Sequence, residues 1–123
     1  AMLHDIGKLV EISPFPENDY TDAGNLLGHI YIGAAQISER CRAVPGFPKK
    51  LEAELLHCIL AHHGELEYGS PKKPAIAEAF ALNIADNADA KLETLKELFA
   101  GADEKLEWIG YQRMFESNLK RTC

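Results

Sequence analysis

Five histidines and a few carboxylates are the residues of this 123-residue chain best suited to chemistry. His4 and Asp5 are adjacent in LHDIGKL, His29 follows Gly28, and His62 and His63 precede Gly64. Asp86 ends the uncharged run Ala79–Ala85, and Asp89 lies three residues on. Imidazole nitrogens and carboxylate oxygens are good ligands for Mn, Fe, Ni, Zn or Mg ions. Each group also has a plain structural reading. A His-Asp pair arises by chance, and a histidine at the margin of a core is more often a satisfied hydrogen-bonding residue. Two histidines at a helix C-terminus are favoured there as surface cations. Two aspartates one turn apart can form an N-cap or a surface pair. Set against these, a carboxylate within a buried helix needs a cation or several donors. Inward-facing histidines likewise need a partner for each ring nitrogen.

Apolar periodicity indicates which elements carry these groups. A first helix is expected over Met2–Val10, placing His4 and Asp5 at its start and Lys8 one turn later. Ser13 to Asn25, with two prolines and several turn formers, reads as a loop. A second helix runs from Asp22 or Ala23 to Arg42, its apolar arc formed by Leu26, Ile30, Gly33, Ile37 and Cys41. His29 sits at the edge of that arc, and Gly28 and Gly33 would admit another helix closely.

The third helix, Lys49 to His63, buries Leu51, Leu55 and Ile59, with Gly64 as its C-cap. At about 100° per residue His62 and His63 flank this face, whereas His57 points away and reads as a surface or packing residue. After the polar loop Glu65–Lys73, the longest helix is expected from Ala75 to about Phe99, with Pro74 at its start. Its nearly uncharged first part makes it the central, buried helix. Asp86 and Asp89 then share a face, one as a ligand and the other orienting it or pairing with a cation. The tail holds a short helix or an extended piece around Glu107–Glu116. The expected fold is all-α, a compact bundle of about five helices with no significant sheet, in a single domain spanning 1–123. His4, Asp5, His29, His62 and Asp86 then come from four helices, each beside a buried face, and a bundle core is where such side chains converge on a metal.

Thirteen Lys and Arg against nineteen Asp and Glu give a formal charge of −6. Phosphate affinity rests on Lys and Arg, so this domain alone is expected to bind nucleic acid weakly. No stretch approaches the roughly 20 apolar residues of a membrane span. Three cysteines without a CxxC pair argue against a disulfide framework and fit a reducing cytoplasm.

LHDIGK, then GH, then HH, then a late Asp resembles the HD superfamily of metal-dependent phosphohydrolases, which are all-helical. More narrowly, the order LHDIGKL, GHIYIGA, ILAHHGELEYGSPKKP and EAFALNIADNADAKLE is similar to the HD domain of YhaM-type 3′–5′ exoribonucleases. This resemblance extends from Leu3 to about Glu93, and HHGELEYGSP is its most specific segment. The HHG stretch also differs from the cyclic-di-GMP phosphodiesterase branch, whose HHE precedes a GYP signature.

The resemblance implies His4, Asp5 and Asp86 as core metal ligands. It implies His29 and His62 as ligands permitting a second metal, and His63 as a further ligand or substrate contact. Lys8 matches the lysine that the family places near the scissile phosphate. Asp5 either bridges metals or orients the attacking water. The implied activity is hydrolysis of a phosphodiester or phosphomonoester in a nucleotide or short oligonucleotide, with one or two divalent ions. Self-association is left open. The family also carries a ligand histidine on a helix ahead of the His-Asp pair, and the exoribonucleases an N-terminal oligonucleotide-binding domain. Neither is in this sequence, so a fragment lacking the upstream helix is one expectation. The alternative activity is a weak or inactive module that binds metal or nucleotide in a regulatory or partner-binding role.

Overall fold

Thr21 opens the first long helix as its N-cap, its Oγ1 accepting a 2.9 Å hydrogen bond from Gly24 N–H. In the computed structural model, which describes residues 1–122, this helix is the second of four. They are α1 (Lys8–Glu11), α2 (Asp22–Ala43), α3 (Lys49–Leu60) and α4 (Ala77–Gly101). Two strands follow, β1 (Trp108–Gln112) and β2 (Ser117–Lys120), with single 3₁₀ turns at Leu66–Tyr68 and Arg113–Phe115. The chain divides into two compact units, Ala1–Asp86 and Asn87–Cys123. Among the described residues no helix is long and apolar enough to cross a membrane.

In the first unit α2 packs against both α1 and α3. Ile30, Ile32, Cys41, Ile59, Ala61 and Ala79 form the buried core. Ser38 on α2 donates a 2.8 Å hydrogen bond to the buried Glu52 of α3, which Lys49 also contacts at 3.0 Å. The stretch before α1 lies directly on α2, and this contact requires Gly7. A Cβ there would lie 2.0 Å from the His29 carbonyl oxygen and 2.7 Å from Gly33 N. Gly33 supplies the small surface on the other side, as the sequence suggests.

Several elements differ from expectation. Residues 1–7 form successive turns rather than a helix, closed by i→i+3 bonds such as Ile6 N to Leu3 O and Lys8 N to Asp5 O. Gly28 does not admit a close neighbour. It adopts φ 72° and ψ 155° and kinks α2, a conformation glycine tolerates without steric cost. The kink breaks the apolar phase, so Leu26 is 82% exposed while Ile30, after it, is buried. Helix α3 ends at Leu60, capped by Ala61, so His62 and His63 lie in the following turn and not on the helix. Of its expected buried face only Ile59 is buried, and Leu51 and Leu55 are exposed.

Helix α4 starts at Ala77, beyond Pro74, and is not a central buried helix. Ala79 is its buried residue, whereas Phe80 and Ile84 are more than half exposed. Apolar composition marks a face as able to be covered, but it does not supply the cover.

In the second unit β1 and β2 pair antiparallel, with Tyr111 opposite Asn118 and Gln112 opposite Ser117. Arg121 Nη2 donates a 2.8 Å hydrogen bond to Phe99 O, and its guanidinium stacks over the Phe99 ring. The described residues thus hold four helices and a small sheet, not about five helices and none. The tail's β-formers, Trp108, Ile109 and Tyr111, make too short a run to read as a strand by alternation.

Candidate metal centre

Tight turns replace a helix at residues 1–7, and they bring His4 and Asp5 to one side instead of letting them diverge. His4 Nε2 lies 3.5 Å from Asp5 Oδ2. Because Gly7 seats this stretch on α2, Asp5 Oδ1 reaches His29 Nε2 at 3.4 Å. The same oxygen lies 3.4 Å from Nε2 of His62, which arrives from the turn after α3 and is fully buried. Asp86 on α4 closes another side, its Oδ1 3.0 Å from His4 Nε2. The His63 ring packs 4.3 Å from that of His62 and 5.3 Å from that of His29. Two overlapping groups of closely spaced ligand atoms result, His4–Asp5–His62 and His29–His62–His63, with His62 common to both.

The hydrogen bonds decide which ring nitrogens are free. His62 Nδ1 lies 2.7 Å from Ile59 O, His63 Nδ1 2.8 Å from Tyr68 O, and His4 Nδ1 bonds to Ala1 O. A carbonyl only accepts, so each of these Nδ1 atoms carries the proton and donates it. His29 Nδ1 is held in the same way by the Glu11 carboxylate at 3.1 Å. In neutral rings all four Nε2 atoms are then lone pairs. Three buried polar atoms at this point, Asp5 Oδ1, His29 Nε2 and His62 Nε2, have no hydrogen-bond partner. At His4 a lone pair faces a carboxylate oxygen at 3.0 Å, a contact that needs a proton or a cation between them. Acceptors from separate elements, converging with no donor among them, fit a divalent cation.

Electrostatics prepare the same atoms. Burial lowers the His62 pKa, aided by the neighbouring His63 and only partly opposed by its bond to Ile59 O, so the ring is held neutral. Burial alone would raise the Asp5 pKa. The 2.6 Å hydrogen bond from Lys8 and its charge outweigh that and hold the carboxyl ionised below its ordinary range. Lys8 itself stands about half exposed at the edge.

Asp89 is exposed on α4 one turn beyond Asp86, and among the described residues its side chain has no hydrogen-bonding partner. His57 lies in neither group. Its Nε2 accepts a 2.9 Å hydrogen bond from Ala75 N–H, which fastens the stretch before α4. Two residues at the site have no counterpart in the sequence reading. Glu11, buried at 7% exposure, holds His29 through both its ring and its backbone N–H. Asn83 donates a 2.7 Å hydrogen bond to His62 O and fixes the HHG turn against α4. A carboxylate in the otherwise apolar run LVEI and an amide in the apolar run before Asp86 were the available signals.

A helical unit with this His-Asp constellation defines the class: the chain belongs to the HD domain family, whose model matches residues 1–91. Particular relatives are named 3′–5′ exoribonuclease YhaM. That of Bacillus velezensis is 43% identical over 96 residues, covering 75% of this chain and 29% of the relative. That of Bacillus subtilis is 41% identical over 99 residues (77% and 30%), and that of Geobacillus sp. 42% over 95 (77% and 29%). The chain thus spans under a third of the curated relatives it matches. No solved structure matches it.

Proposed function

We propose that this centre is the active site of a metal-dependent phosphohydrolase that cleaves a phosphodiester or phosphomonoester in a nucleotide or short oligonucleotide. The observation that carries the reading is the convergence of Asp5 Oδ1, His29 Nε2 and His62 Nε2, buried and unpartnered. His4, Asp5 and Asp86 would hold one divalent ion together with His62, which would also serve a second ion beside His29 and His63. Such an ion supplies Lewis acidity and a bound water acidic enough to yield hydroxide near neutral pH.

The chain's own residues do the rest. Neutral His62, pinned through Nδ1, keeps a lone pair directed into the centre without reorganisation. Asp5 stays ionised because Lys8 is beside it. Lys8, half exposed beside Asp5, would offer its ammonium to a phosphate's developing charge. The likeness to 3′–5′ exoribonucleases supports an RNA-like substrate class. The formal charge of −6 supports weak grip of nucleic acid by this domain alone.

The test is hydrolysis of bis-p-nitrophenyl phosphate and of a short RNA by EDTA-stripped protein, with and without added Mn. Turnover that requires Mn and disappears in Asp86→Ala is the expected result. Absence of turnover from protein that binds Mn would overturn the hydrolase reading and leave the metal- or nucleotide-binding module.

A further inference from the structure

We propose that Glu11 is a positioning residue of the metal centre, setting the proton on His29 and aiming its Nε2. The inference rests on the metal-binding reading above. Glu11 Oε1 accepts two hydrogen bonds from one residue, from the His29 backbone N–H at 2.9 Å and from Nδ1 at 3.1 Å. The kink at Gly28 places His29 at the start of the second helical segment of α2. Backbone N–H groups there have no carbonyl in a preceding turn to bond. Glu11 therefore acts as an N-cap supplied by another element, and the same oxygen fixes the imidazole tautomer.

The Glu11 backbone is itself held on several sides. Its N–H donates to Gly7 O and its carbonyl accepts from Thr21 N–H, both at 2.9 Å. Gly24 lies so close that a Cβ there would be 2.3 Å from Glu11 O. Glu11 belongs to neither candidate ligand group. It acts only through His29, whose far nitrogen is one of the three buried, unpartnered atoms. A carboxylate accepting the second N–H of a metal-binding histidine orients the ring and raises its basicity, and losing such a partner typically weakens metal binding about 10–100-fold.

Glu11→Gln separates this role from folding, because the amide oxygen can still accept both N–H groups but carries no charge. Three quantities are compared in wild type, Glu11→Gln and Glu11→Ala: the Tm of EDTA-stripped protein, the Kd for Mn by calorimetry, and the His29 tautomer from ¹⁵N chemical shifts. The expected result for Glu11→Gln is a metal-free Tm near wild type, a Kd weakened about 10-fold or more, and His29 still protonated on Nδ1. Glu11→Ala, if folded, should bind more weakly still and lose the single tautomer. A wild-type Kd in Glu11→Gln and Glu11→Ala, or a wild-type His29 protonated on Nε2, would overturn the proposal. Failure of wild-type protein to bind Mn would instead defeat the metal reading, while the tautomer measurement would still judge Glu11.

Discussion

At the candidate metal centre the decisive property of each histidine is which ring nitrogen carries the proton. Backbone carbonyls settle this for His4, His62 and His63, and a carboxylate settles it for His29. Residue types and spacing made these side chains visible in the sequence, because a His-Asp pair, a Gly-His step and a His-His-Gly step are rare together. Their partners were not visible, since Ile59 O and Tyr68 O are backbone atoms and Glu11 is brought in by tertiary packing. Truncation should sort the histidines. His4→Ala and Asp86→Ala are expected to abolish Mn binding by calorimetry. His57→Ala should retain wild-type affinity, because that ring holds Ala75 N–H and not the centre. Loss of affinity in His57→Ala would contradict this division.

Elements position the site through contacts shorter than a side chain. Gly7 lets the turn carrying His4 and Asp5 rest on the backbone of α2 at His29 and Gly33. Gly7→Ala should therefore lift that turn, lowering the Tm by several degrees and weakening Mn binding in the same variant. Unchanged values for both would show that the contact is dispensable. The tie between α2 and α3 predicts a pH effect. Hydrogen bonds from Lys49 and Ser38 hold the Glu52 carboxyl below its ordinary pKa. Stability from that pairing is complete above the unfolded carboxyl pKa, about 4.3, and is lost as pH falls through the lower folded value. The Tm difference between wild type and Glu52→Gln should thus be largest near neutral pH and shrink in acid. A difference constant down to pH 3 would contradict it. Helix existence was legible from periodicity, but helix ends and phases were not. The kink at Gly28 and the early end of α3 depend on hydrogen bonds that no apolar pattern encodes.

For the whole chain, family membership was legible because the motif order survives the misplaced boundaries: HD-type residues meet whether they lie on helices or in turns. What covers the exposed apolar residues of α3 and α4 was not legible, since periodicity reports a face and not its neighbour. The net charge of −6 and the centre belong together, as two of the carboxylates in the excess, Asp5 and Asp86, face the proposed cation. The central claim is that four elements of one unit converge to hold a divalent ion. Its most direct measurement is the Mn retained per chain by elemental analysis, after EDTA-stripped protein is reloaded and desalted, in wild type and His62→Ala. The account predicts at least one equivalent in wild type and essentially none in the variant, because His62 is common to both ligand groups. Wild-type protein that retains no more Mn than His62→Ala would contradict it.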